Sequence, residues 1–154
     1  MADITKSIDV NVPVRTAYDQ WTQFESFPKF MEGVKSVRQL DNKRLHWVVD
    51  VNGKTQEWDA EITEQIPDEK IAWKSISGQP NSGVVTFNRL GPDETRVTLQ
   101  IEWQPEGVTE NIGSMLGFDD RQVDQDLKNF KEFIEARGAP TGAWRGQVNQ
   151  THTS

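Results

Sequence analysis

The 154-residue chain contains no cysteine, and this absence removes several classes of function at once. Disulfide bridges, thiol catalysis and cysteine-ligated zinc all require that residue. Basic residues are also fewer than acidic ones: the chain has 17 Lys and Arg and 24 Asp and Glu, which gives a formal net charge of -7. A chain of this charge repels phosphate backbones and anionic lipid surfaces, so we do not expect nucleic acid as a partner.

Long apolar runs are missing as well. No stretch approaches the ~18 consecutive apolar residues of a membrane span, and the first six residues lack the charged-then-apolar pattern of a signal peptide. We therefore expect a soluble, cytoplasmic protein without stable membrane insertion. The oligomeric state is left open by these observations.

The length fits one domain, which we expect to comprise residues 1–138. Residues 139–154 then form a polar tail whose only large apolar side chains are Trp144 and Val148. We expect this tail to be loosely docked, so that truncation after Gly138 would change stability little.

An apolar pattern with helical spacing between residues 108 and 137 is the most informative stretch. Its members are Val108, Ile112, Met115, Leu116, Val123, Leu127, Phe130 and Ile134. Spacings of three, four and seven put them on one helical face, and Gly138 with Pro140 predicts the end of the helix. The pattern lapses over residues 117–120, where a second segment could begin and where the helix could leave a gap over the core.

Before this helix, apolar residues alternate with polar ones in seven segments, a pattern typical of β-strands with one face on a core. The first strand spans residues 4–12, and two short segments of helical spacing follow at 14–24 and 27–31. Six further strands lie between residues 34 and 103, with connections short enough for hairpins, such as Asn52-Gly53. We predict an α+β fold in which a seven-stranded antiparallel sheet wraps around the long C-terminal helix.

The order of these segments resembles the START-like, helix-grip (SRPBCC) superfamily, in its bacterial polyketide cyclase/dehydrase and lipid-transport branch. The resemblance covers residues 3–138 and includes Phe27-Pro28-Lys29-Phe30-Met31 together with segments 8–14, 58–64, 71–75, 83–87 and 127–135. It implies the helix-grip fold and a hydrophobic cavity between sheet and helix, which members use for lipids, quinones, sterols or polyketides. Some members cyclise or hydrolyse these molecules, but the resemblance assigns no catalytic residues to this chain.

The candidate ligand-binding residues are inward-facing side chains of the predicted sheet and helix. They are Trp47, Val49, Trp58, Trp73, Phe87, Arg89, Leu99, Trp103, Met115, Leu116, Leu127 and Phe130. Aromatic walls with an indole N–H suit a flat apolar ligand with one polar group, although tryptophans also fill cores. Arg89 shares the face of Val85 and Phe87 at a strand end, where it could bind a ligand carboxylate or phosphate or else extend into solvent.

We predict no catalytic residue, metal site or cofactor. Glu57, Asp59 and Glu61 share the outer face of one strand, which is the usual place for solvated carboxylates, and His46 points outward as a surface histidine. The sequence therefore favours binding or transport of a small hydrophobic ligand such as a lipid, quinone or polyketide-like molecule. The alternatives are a polyketide cyclase/dehydrase-like enzyme and a regulatory or stress module with a vestigial cavity.

Overall fold

The computed structural model describes residues 2–31, 33–51, 54–77, 81–103, 120–143 and 148–149. Strand β1 (Ala2–Val10) leads into helix α1 (Val14–Trp21) and a 3-10 helix (Phe24–Lys29). Six strands follow: β2 (Val34–Gln39), β3 (Arg44–Val51), β4 (Lys54–Ile66), β5 (Lys70–Ser75), β6 (Asn81–Gly91) and β7 (Glu94–Trp103). Helix α2 (Asp120–Arg137) and a two-residue strand, β8 (Val148–Asn149), complete the described elements.

The sheet has the order β1-β7-β6-β5-β4-β3-β2, with every neighbouring pair antiparallel. Strands β2 to β7 are neighbours in chain order, whereas β1 pairs with β7 at the far side of this meander. This arrangement confirms the predicted seven-stranded sheet and its two short helices after the first strand. Strand β8, which we did not predict, pairs with β4 through Glu64 and Gln65.

Alternation decides which side chains of the sheet enter the core. In β3, Leu45, Trp47 and Val49 are buried, while His46 is partly exposed and Asp50 is exposed. The register of β3 with β4 pairs Val51 with Lys54, so two residues join these strands, as the predicted hairpin requires. Those two residues, 52 and 53, lie outside the described part of the chain.

Helix α2 covers the core face of the sheet with one apolar stripe. Its buried residues are Val123, Leu127, Phe130 and Ile134, spaced as one helical face requires. The ring of Phe130 lies 5.3 Å from that of Trp21, measured between centroids. The helix ends as predicted, because Gly138 has a φ of 71° and its N–H donates to the carbonyl of Ile134. The predicted portion over residues 108–119 lies outside the described residues.

The first residues after α2 are held against helix α1. The side chain of Gln20, which is fully buried, accepts a hydrogen bond from the backbone N–H of Thr141 at 2.8 Å and donates one to its hydroxyl at 3.1 Å. Ser26 Oγ lies 3.3 Å from the same hydroxyl. This part of the tail is therefore docked more closely than the sequence led us to expect.

Candidate functional site

Three tryptophans form one wall of the core between the sheet and α2. Trp47 and Trp58 are direct cross-strand partners whose rings stack with centroids 5.9 Å apart and planes 6° apart. The ring of Trp73 lies 6.4 Å from that of Trp47, at 25° to it. Directly opposed residues of an antiparallel pair share a face, so the predicted alternation and the predicted Asn52-Gly53 hairpin together bring Trp47 opposite Trp58.

Trp73 comes close to this pair because its neighbour on β6 has no side chain. Gly83 is the register partner of Trp73, and the large indole lies over the space that a side chain at residue 83 would occupy. Such a close approach is a recognised use of glycine in a strand interior. The three rings therefore form a single wall, which we call the indole wall.

The indole wall encloses a small apolar cavity at the end of the sheet where β7 finishes. The space open to the centre of a water molecule measures about 40 Å³. Its lining is Trp21, Phe27, Met31, Gly33, Val34, Trp47, Val49, Trp58, Trp73, Leu99, Ile101, Val123 and Asp126. Pockets for drug-sized ligands measure about 300 to 1,000 Å³, so this cavity is nearly closed.

Asp126 is the one charged residue in the described lining. It lies on α2 three residues after Val123 and four before Phe130, which places it within the apolar stripe of the helix. Gln122, one turn earlier, donates a hydrogen bond from Nε2 to Asp126 Oδ1 at 2.7 Å. The cavity is thus apolar apart from one oriented carboxylate.

Two tryptophans of the lining, Trp21 and Trp47, carry buried indole N–H groups. Trp47 Nε1 and Trp21 Nε1 are buried and have no hydrogen-bond partner within the described ranges of the chain. A buried donor without a partner costs about 1 to 3 kcal/mol, which an acceptor within hydrogen-bond distance of it would recover. The residues around the cavity therefore combine apolar surface with two buried donors.

The structure brings five of the predicted ligand-binding residues to the cavity: Trp47, Val49, Trp58, Trp73 and Leu99. Phe87, Leu127 and Phe130 are buried in the core but do not line it. Met115, Leu116 and the side chain of Trp103 lie outside the described part of the chain. That any of these residues contacts a ligand stays a prediction.

Arg89 lies away from the cavity. Its side chain is exposed, and its Nε is 3.4 Å from the carbonyl oxygen of Gly91, at the far end of β6. The cavity is beside Gly83 and Trp73, six residues back along the strand, or roughly 20 Å at the usual rise per residue. Alternation along a strand carries no information on which end of the sheet opens into a cavity.

Sequence reasoning missed the lining residues that come from outside the strand interiors. Trp21, Phe27 and Met31 belong to the segment between β1 and β2, and their helical spacing marked them only as core. Asp126 was missed although its position gave the signal, since residues 123, 126 and 130 lie on one helical face. A polar residue on an apolar stripe is the feature that would have identified it.

His46 is held between two carboxylates on the outer face of the sheet. Its Nδ1 lies 2.6 Å from Asp59 Oδ1, and its Nε2 lies 3.0 Å from Glu57 Oε1. The hydrogen bond with Asp59 is the main cause that raises the pKa of His46 above 6.5, and Glu57 adds to it against the opposing effect of partial burial. These contacts lie on the opposite face from the cavity, so they have no part in its chemistry.

The described residues contain neither a cluster of metal ligands nor a membrane-spanning helix. Nowhere in those ranges do three or more His, Asp or Glu side chains form a group that could hold a metal ion. Neither α1 nor α2, as far as the structure describes them, is long and apolar enough to cross a bilayer.

Comparison with known proteins gives concordant findings. A family described as polyketide cyclase / dehydrase and lipid transport matches residues 10–132. An uncharacterized 17.2 kDa protein of Streptomyces lincolnensis is 54% identical over 149 residues, which are 96% of this chain and 99% of that protein. A crystal structure from Deinococcus radiodurans is similar with a TM-score of 0.71 at 27% identity, covering 89% of this chain and 99% of the other.

Two more distant structures are similar in fold alone. A START superfamily protein from Mycobacterium smegmatis has a TM-score of 0.70 at 15% identity. The similarity covers 88% of this chain and 98% of the Mycobacterium chain. An aromatase/cyclase from a Streptomyces species has a TM-score of 0.73 at 14% identity. The similarity covers 93% of this chain and 99% of the aromatase/cyclase chain. The predicted helix-grip fold is confirmed by these similarities.

Proposed function

The chain belongs to the polyketide cyclase/dehydrase and lipid transport family, and on that premise we propose that it binds a small hydrophobic molecule in the cavity between its sheet and α2. The observation that carries the proposal is the indole wall, in which Trp47, Trp58 and Trp73 are buried yet border a cavity. A ligand that suits the wall has a flat apolar body.

Binding requires the cavity to enlarge. About 40 Å³ accommodates only a few water molecules, since each needs roughly 10 to 15 Å³ of such space. Met31 is the lining residue best able to move, because its unbranched side chain has three rotatable bonds and fills irregular gaps at low cost. We infer that this is the closed form and that a ligand displaces the side chain of Met31 from the cavity lining.

We further propose that the protein transports this ligand through the aqueous phase. A molecule enclosed between the sheet and α2 would be shielded from solvent, and no chemical change to it is required. Shielding of this kind suits a lipid, quinone or polyketide-like molecule, whose solubility in water is low.

Fluorescence titration tests the proposal directly. The neutral apolar probe N-phenyl-1-naphthylamine is added to the protein, and tryptophan emission and probe emission are followed together. We expect saturable binding with energy transfer from the indole wall. Trp58→Leu, which removes one ring of the wall, should weaken binding roughly threefold to tenfold.

Val85→Ala is the matched control for that variant. Val85 is buried in the same sheet but does not line the cavity, so its truncation should lower stability and leave probe affinity unchanged. Absence of saturable binding to the parent protein, or equal weakening by both variants, would contradict the proposal. Native mass spectrometry of gently purified protein adds a second readout, since a retained hydrophobic molecule would raise the mass of the folded species.

A further inference from the structure

We propose that the ligand enters the cavity between residues 31–34 and the first turns of α2, a gap that we call the mouth. This inference rests on the proposed function, because it concerns access to the same cavity. Gly33, Val34 and Asp126 are partly exposed, whereas every other described lining residue is buried. These three residues are therefore the part of the lining that also reaches the surface, and they lie on the two sides of this gap.

Gly33 provides free space at the mouth. Apart from its chain neighbours, no heavy atom lies within 4 Å of the position that a Cβ atom at Gly33 would take. Its carbonyl accepts a hydrogen bond from the backbone N–H of Asp50 at 2.9 Å, so β3 holds the backbone in place. This side of the mouth is therefore open because a side chain is missing, and a bulky group placed there would narrow it.

Phe30 holds this segment close to α2. Its carbonyl accepts a hydrogen bond from Asn129 Nδ2 at 3.2 Å, and its ring lies 5.2 Å from that of Phe130. Because residues 31–34 follow Phe30 directly, these contacts keep the mouth narrow in the closed form. The displacement of Met31 inferred above would then open the cavity at the mouth.

The test blocks the mouth chemically and reversibly. Because the chain contains no cysteine, the thiol of Gly33→Cys is the only one that a reagent can modify. Glutathione is attached to it by exchange with oxidised glutathione. Association of N-phenyl-1-naphthylamine is followed by stopped-flow fluorescence before attachment, after attachment and after reduction. Gly91→Cys is the matched control, because a Cβ atom there also meets nothing within 4 Å and Gly91 does not line the cavity.

Asn129→Ala gives a second measurement, with an effect in the opposite direction, and does not require Gly33→Cys to fold. Loss of the hydrogen bond to Phe30 should favour the open form and speed association of the probe roughly twofold to tenfold. Lys128→Ala, at the neighbouring exposed position, should leave the rate unchanged. An unchanged or lower rate in Asn129→Ala would show that Phe30 does not hold the mouth closed.

We expect glutathione at residue 33 to slow association of the probe about tenfold or more, and reduction to restore it, while glutathione at residue 91 has an effect below about twofold. Equal rates with and without glutathione at residue 33 would overturn the mouth and leave the binding function intact. A thiol at residue 33 that does not react in the folded protein would do the same. Failure of the probe to bind the parent protein would overturn the proposed function as well.

Discussion

Trp73 lies across Gly83 of the neighbouring strand so closely that a Cβ atom added at Gly83 would stand 2.5 Å from Cζ2 of the indole. We expect Gly83→Ala to push the ring away from the sheet and into the cavity. Overpacking of this kind costs roughly 1 to 3 kcal/mol, and the probe used above should bind more weakly. Denaturant unfolding and the fluorescence titration measure the two effects.

Gly91 provides the control on the same strand, since a Cβ atom there would meet nothing within 4 Å. Gly91→Ala should be close to neutral in both assays. If the two alanine variants behaved alike, contact with Gly83 would not be what holds Trp73 in the indole wall.

Leu127 tests whether α2 is an integral part of the core. Its side chain is 1% exposed, in the apolar stripe that faces the sheet. Leu127→Ala should lower the free energy of unfolding by about 2 to 5 kcal/mol, because it leaves a cavity beneath the helix. Lys128→Ala, at the neighbouring exposed position, should change it by less than about 0.5 kcal/mol. Comparable losses from both would mean that the helix does not pack on the sheet.

The contacts of His46 make stability depend on pH in a defined direction. The pKa of His46 is raised in the folded state, chiefly by its hydrogen bond with Asp59. Its contribution is therefore fully present below the unfolded pKa, near 6.5, and is lost as the pH rises through the higher folded value. The free energy of unfolding in urea should fall as the pH rises above about 6.5, and His46→Gln should flatten this part of the profile.

Proton NMR gives an independent measurement, since the chain has only one other histidine, His152. The ring resonances of His46 should titrate at a higher pH than those of a histidine in a short peptide. Titration at or below the peptide value would show that Asp59 and Glu57 do not hold the charged form.

Glu135 links α2 to the end of β1 and should contribute stability at the opposite end of the pH range. Its Oε2 accepts hydrogen bonds from Lys131 Nζ at 2.6 Å and from the backbone N–H of Asn11 at 2.7 Å. Burial alone would raise the pKa of Glu135, but these bonds outweigh it and lower the pKa. The contribution is present above the unfolded value of 4.5 and is lost as the pH falls through the folded value.

Glu135→Gln should accordingly cost about 1 kcal/mol at neutral pH, and the difference from the parent should shrink in acid. Glu132→Gln, at an exposed position of the same helix, serves as the control. A difference between Glu135→Gln and the parent that does not change with pH would show that the carboxylate charge is not involved.

The contacts of Thr141 revise the expectation that truncation after Gly138 is nearly neutral. Removal of Thr141 takes two hydrogen-bond partners from the buried side chain of Gln20. We expect that truncation to lower the free energy of unfolding by about 1 to 3 kcal/mol. Truncation after Ala143 keeps these bonds and should cost less. Equal losses from the two truncations would assign the effect to the residues beyond 143.

Periodicity was sufficient to predict the strands, their inner faces and the end of α2, because burial on one side of a strand or helix selects apolar residues at fixed intervals. It placed Trp47, Trp58 and Trp73 correctly for this reason. It could not place Arg89, because alternation specifies a face and not the position of a cavity along the strand. His46 lies opposite Asp59 in the same hairpin register that pairs Trp47 with Trp58, so its partner follows from the predicted hairpin. The contact of Gln20 with Thr141 joins segments that are far apart in the chain, and no local pattern encodes it.

The pairing of β1 with β7 has a consequence for the way the chain is made. The register runs from Ala2 with Trp103 to Val10 with Thr95, so β1 is synthesised well before β7, its partner in the sheet. At roughly 5 to 20 residues per second, that partner follows about 5 to 20 s later on the ribosome. The meander from β2 to β6 can form during this delay. In a nascent chain that stops before β7 has emerged, however, β1 has no partner strand with which to join the sheet.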